Sequence, residues 1–247
     1  MAWLPQAIFS NAIETYRQAM RLAPRYSYLA YNLGLLYQRL NRNKEAEAAY
    51  RQAVALSPDL AEPYNALGYL HAALGKAVEA ERLYRQALAK DAGLLSARQN
   101  LGALLAQDSQ RLPDAVALWS ENLAKDADYL PSRLSLARGL ARLGRDSEAM
   151  EQYTAILARK RDYVAARLAL AELKAKSGDT GGAIADLREA AKTQPGSALI
   201  YEQIGDLEKA RGDAAQAVQA YQTALRNTQD RSARKRLRTK LRTLPDK

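Results

Sequence analysis

Cysteine is absent from this 247-residue chain, and with it go disulfides, thiolate metal sites and cysteine nucleophiles. Its absence leaves the redox compartment open, because a cysteine-free chain suits either side of a membrane. Histidine occurs once, as His71. Paired-histidine zinc sites and Cys-His pairs are therefore excluded, and any Ser-His-Asp set would hang on that one ring. Long apolar runs are missing too: nothing approaches the ~18 consecutive apolar residues that a membrane span needs. The start, MAWLPQAIFSNAIETY, carries neither a basic segment nor a continuous apolar one, so neither a signal peptide nor a transit peptide is visible. The expectation is a soluble protein, cytoplasmic or, as an exported mature form, periplasmic.

What remains is a helical composition of bacterial style. Alanine and leucine dominate, charged residues make up 26%, and the mean hydropathy is −0.41. A pattern of Leu-Gly, Ala, Tyr, Ala and Pro recurs about every 34 residues. The first full unit reads Leu33-Gly34, Tyr37, Ala46, Tyr50, Ala53, Pro58, and the second Leu67-Gly68, His71, Ala80, Tyr84, Ala87. The third keeps Leu101-Gly102, gains one residue near Gln110 to Pro113, and continues with Ala115 and Trp119. The fourth keeps Leu136, Ala149 and Tyr153; the fifth Leu170, Ala183, Leu187, Ala190 and Pro195; the sixth Ile204-Gly205, Ala217, Tyr221 and Ala224. Small residues at fixed places fit a helix pair whose axes approach within ~8 to 10 Å, where only Gly or Ala leaves room. The aromatic fills the space beside them. Between the halves of each unit lie short polar turns such as LGKAVEAE and SGDTGGA, with Gly or Asn for a helix end and Asp or Ser for the next start.

These positions resemble the tetratricopeptide repeat family over residues 12 to about 229. The resemblance implies an all-α fold, a right-handed superhelical α-solenoid of antiparallel helix hairpins. The repeats fall at 27–60, 61–94, 95–129, 130–163, 164–197 and 198–230, after an N-terminal half repeat or cap at 1–26. In that first segment Ala12, Tyr16, Ala19 and Pro24 fit a second helix, and Trp3 falls at the register of a missing first helix. Two readings stay open there, a segment of a longer protein or a natural cap. Repeats three to five depart from the family pattern, with Arg98, Arg133 and Arg167 where a first-helix aromatic is usual.

In such a stack the first helices line a concave face. Asn32, Asn65 and Asn100 stand on it, and an amide can pair with the main chain of an extended peptide whatever its sequence. The competing reading is that they bond within or between hairpins, and Asn65 sits one register position from the other two. Tyr28, Tyr31 and Tyr69 offer amphipathic contact area to a ligand, against a competing role in packing. Arg138 and Arg142, with Lys176, fit an acidic segment or plain solvation. The carboxylate clamp of some family members is incomplete, because Ser96 and Asn100 stand where that clamp uses lysine and arginine. His71 occupies the aromatic position that Tyr37 fills one unit earlier and reads as a packing residue with a hydrogen-bonded edge. Glu45/Glu47 and Glu79/Glu81 are two apart on a helix and do not face each other, so they offer no acid–base geometry. No cofactor is expected.

Most of the net charge of +10 is terminal: residues 232–247 hold seven Lys/Arg against one Asp. In RSARKRLRTKLRTLPDK the apolar Ala233, Leu237, Leu241 and Leu244 make one stripe on a helix ended by Pro245. The expectation for 231–247 is a basic solvating helix over the last repeat, with contact to nucleic acid or anionic lipid as a lesser alternative. The sequence thus points to a non-enzymatic scaffold or adaptor that holds a segment of another protein in its groove. The alternatives are a recruiting repeat domain of a larger enzyme or secretion assembly, and self-association through the N-terminal hairpin by Trp3 and Phe9.

Overall fold

The computed structural model describes residues 4–244; Trp3 and Pro245 lie outside them. The described residues form α-helices joined by short turns, with no strand among them and no helix long and apolar enough to cross a membrane. The chain divides into two compact units, residues 1–132 and 133–247.

The first unit holds α1 (Leu4–Leu22), α2 (Ser27–Arg39), α3 (Asn43–Leu56), α4 (Ala61–Ala73), α5 (Ala77–Lys90), α6 (Leu95–Leu105) and α7 (Leu112–Lys125). Helix α8 (Leu130–Arg142) begins at its end. The second unit holds most of α8, then α9 (Asp146–Arg159), α10 (Val164–Lys176), α11 (Thr180–Thr193), α12 (Ala198–Ala210), α13 (Ala214–Arg226) and α14 (Arg231–Arg242). Within the units α2 packs on α3, α4 on α5, α6 on α7, α10 on α11 and α12 on α13.

At four of the crossings a ring is laid on a glycine. A Cβ added at Gly34 would stand 2.5 Å from the Tyr50 ring, at Gly68 2.7 Å from Tyr84, at Gly102 2.5 Å from Trp119 and at Gly205 2.5 Å from Tyr221. At these four the bare Cα leaves the ring room to fill the helix crossing, whereas repeat four keeps the ring, Tyr153, with Ala137 in the glycine's place, both buried. Repeat five reaches the same end with smaller parts: Ala171 replaces the glycine, Leu187 replaces the ring, and both are buried in one cluster.

Between first and second helices the chain turns through a left-handed residue: Asn41 (φ 58), Gly75 (φ 75), Gly144 (φ 74), Gly178 (φ 89) and Gly212 (φ 87). The next N–H reaches back to close the helix end, from Arg42 to the Tyr37 carbonyl, Lys76 to His71, Arg145 to Leu140, Asp179 to Lys174 and Asp213 to Glu208. Asp179 and Asp213 then cap the following helices through Gly182 and Gln216 N–H. In repeat three the extra residue becomes a 3-10 turn, Ser109–Arg111, opened by Asp108 accepting from Gln110 N–H.

The three first-helix arginines that replace aromatics bridge their hairpins. Arg98 Nη1 donates to Asn122 Oδ1 (2.9 Å), Arg133 Nη1 to Gln152 Oε1 (2.9 Å) and Arg167 Nη1 to Asp186 Oδ1 (3.4 Å). Arg98 and Arg167 also donate to the loop carbonyls of Ala92 and Arg161. The stem fills part of the space a ring would take, and the guanidinium is satisfied rather than stranded.

Candidate functional site

Helices α2, α4 and α6 are neighbours in the first unit, and α2 and α4 carry exposed large apolar side chains. Tyr69 is 52% exposed, Leu35 41% and Tyr28 38%. The run Tyr26-Ser27-Tyr28-Leu29-Ala30-Tyr31 crosses the start of α2 and forms a chain of rings. Tyr26 to Tyr28 centroids are 6.0 Å apart, Tyr28 to Tyr31 6.3 Å edge to face, and Tyr31 to Tyr50 6.0 Å. Tyr31 is therefore half-buried and belongs as much to the core as to the face. Tyr26, which sequence reasoning passed over, is 59% exposed; three tyrosines in six residues were the available signal. The Glu62 carboxylate beside Tyr28 raises that phenol above its ordinary range, as burial does for Tyr31.

The asparagines are only partly a set. Asn100 Nδ2 donates to Asn65 Oδ1 (2.9 Å), and Asn65 Nδ2 donates to Ser96 Oγ (3.2 Å). One amide relay thus ties α4 to α6, the bonding between hairpins that competed with peptide capture. Asn32, half-buried on α2, joins neither through any hydrogen bond among the described residues.

Arg138 and Arg142 lie in the second unit, exposed on α8. Arg138 stands close enough to Tyr153 to oppose the rise that burial gives its phenol. Lys176, expected beside them, is already engaged, with Nζ 2.5 Å from Asp146 Oδ2. Phe9, the described half of the proposed N-terminal contact, has the Arg39 guanidinium 5.6 Å above its ring.

His71 is 6% exposed, as a packing residue should be. Its Nε2 lies 3.5 Å from Glu47 Oε1, while Nδ1 is buried without a hydrogen-bond partner. Three of the four carboxylates in the pairs Glu45/Glu47 and Glu79/Glu81 turn to cations. Glu45 bonds Arg42 and Glu47 bonds Arg51, and Glu81 is gripped by Arg85 and, through two bonds, by Arg111. The Arg111 bond is the main cause holding Glu81 down at about 2. Among the described residues no group of three or more His, Asp or Glu is placed to hold a metal ion.

Helix α14 lies one repeat beyond α12. Leu237 is fully buried with Ala217, Tyr221 and Ala224, and Leu241 packs against the same cluster. On α12, Glu202 is buried and bonded by Arg236, while the exposed Asp206 and Lys209 bond Lys240 and Thr243.

Family models agree with this geometry. A model described as TPR repeat matches residues 39–75, and models described as tetratricopeptide repeat match 61–90, 134–198 and 168–232. No curated protein matches the sequence. Among solved structures, the C-terminal part of a TPR repeat-containing protein from Cytophaga hutchinsonii is similar at a TM-score of 0.75 and 15% identity, over 94% of this chain and 95% of that one. PilF of Pseudomonas aeruginosa gives 0.69 and 19%, over 92% and 99%. YrrB, described as a TPR protein with an unusual peptide-binding site, gives 0.61 and 20%, over 74% and 94%. At these identities the likeness shows the fold, a solenoid of helix hairpins that serves in general as a protein–protein interaction scaffold and is typically non-catalytic. Glycine-seated rings, left-handed hairpin turns and matching models agree: this chain belongs to the tetratricopeptide repeat family.

Proposed function

We propose that the first-helix face of residues 1–132 binds an extended segment of a partner protein. The observation that carries this reading is the exposure of Tyr28, Leu35 and Tyr69 on two neighbouring helices. The Asn65–Asn100 relay lies between α4 and the next first helix, α6. Rigid exposed aromatics supply contact area at small entropic cost, and a ring of polar groups around them sets register. Asn65 and Asn100 each spend part of their bonding capacity on the other, and a main chain laid along α4 meets the remainder. YrrB carries a peptide-binding site on this fold, which is in keeping with the same use here. In the second unit the same reading gives Arg138 and Arg142 an acidic stretch of a partner to contact.

The test is capture from a cell extract by the intact chain and by a Tyr28→Ala/Tyr69→Ala form of equal helicity. Loss of one captured protein with the double variant supports the reading. Equal recovery of every captured protein removes it.

A further inference from the structure

Helix α14 carries its cations on two faces with different fates. On one, Glu202 accepts both Arg236 and Lys240, and Asp206 accepts Lys240. On the other, Arg231, Lys235, Arg238 and Arg242 follow at intervals of four, three and four residues, which lays them in one row along an α-helix. The row is roughly 16 Å long at 1.5 Å per residue. With Arg234 and Thr239 these four line an open groove of about 410 Å³. Arg234 itself is occupied, donating to the Leu225 and Thr228 carbonyls.

The row is unlike the second-helix surfaces, which neutralise cations locally, as in Arg42–Glu45, Arg51–Glu47, Arg85–Glu81 and Arg145–Glu148. Helix α14 contains no acidic residue, and among the described residues no carboxylate pairs with any of the four. Its leucines are turned into the stack, Leu237 fully and Leu241 in part, and Leu244 just past its end is 8% exposed. The outer face thus lacks the apolar wedge that a membrane-surface helix inserts, and it lacks the aromatics on which single-stranded bases stack. What it offers is charge in a line, mostly guanidinium, whose paired N–H groups match phosphate oxygens.

We propose that this row binds the phosphate backbone of duplex nucleic acid without reading its sequence, independently of the protein-binding face of the first unit. Over a length of roughly 16 Å a duplex presents about ten phosphate charges, enough to engage every cation in the row.

The experiment is fluorescence anisotropy of a short labelled DNA duplex titrated with the intact chain across a salt series. Four phosphate contacts predict that log K falls linearly with log salt with a slope of about −3.6. An R231Q/K235Q/R238Q/R242Q form, which leaves Arg236 and Lys240 in place, should bind about tenfold or more weakly at low salt, with a slope near zero and an unchanged melting curve. The half-sets R231Q/K235Q and R238Q/R242Q should each remove about half of the slope. A control with the same charge loss elsewhere, R25Q/K44Q/R82Q/R161Q, should keep its affinity. The proposal is overturned if the duplex does not bind at low salt, if the row variant binds as the intact chain does, or if the control loses as much. Tighter binding to phosphatidylserine vesicles or to polyglutamate at matched charge overturns it as well.

Discussion

Arg236 and Glu202 stand one repeat apart and close a two-pronged ion pair, Nε to Oε1 at 2.7 Å and Nη2 to Oε2 at 2.8 Å. Lys240 adds a third contact to the same carboxylate at 2.8 Å. The Arg236 bond is the main reason that Glu202 is held down at about 2 against the opposing effect of its own burial. A first helix of the sixth repeat and the terminal helix are thereby locked at a spacing the repeat itself dictates.

This pair predicts an acid-sensitive end to the stack. A carboxyl whose folded value lies below its unfolded one stabilises the protein above the unfolded value, and that stability is lost as pH falls through the folded value. For Glu202 the loss runs from about pH 5 down to about pH 2. Glu202→Gln should cost on the order of 1–3 kcal/mol at neutral pH and flatten the dependence of melting temperature on acid over that window. A wild-type acid slope retained in the variant counts against the assignment.

Gly34 and Tyr50 supply the second prediction. Alanine for glycine inside a helix ordinarily gains about 1 kcal/mol. Here the new methyl meets the ring at 2.5 Å, and overpacking of that kind costs about 1–3 kcal/mol. Gly34→Ala should therefore destabilise on balance in a denaturant titration. Adding Tyr50→Leu should recover part of the loss, because alanine with leucine is the pairing repeat five already uses at Ala171 and Leu187. Gly196→Ala, with open space around the new methyl, is the neutral control.

Asn65→Ala separates structure from recognition. It strands the Asn100 amide and the Ser96 hydroxyl, and should lower stability by about 1 kcal/mol. Asn32→Ala breaks no such relay and should leave the melting temperature within the error of the measurement. If Asn65→Ala melts as the native chain does, the relay is not stabilising.

The repeat was legible because its signal is steric: a glycine or alanine and a ring at fixed spacing describe a helix crossing wherever they occur. The terminal helix was legible in its leucine stripe. The arginines at 98, 133 and 167 could be seen only as departures, since their partners Asn122, Gln152 and Asp186 lie on the facing helix and no local pattern links them. The candidate face divides the same way. Exposed Tyr28 and Tyr69 follow from register, but the Asn65–Asn100 bond depends on side-chain reach between hairpins, and the engagement of Lys176 by Asp146 depends on a residue outside the first helices.

Placement of the partner on the first helices of residues 1–132 is tested most directly by site-specific photocrosslinking. Benzoylphenylalanine at Tyr69, 52% exposed on α4, should crosslink the captured partner; at Val78, 79% exposed on α5, it should not. A crosslink from position 78 with none from position 69 would contradict the account.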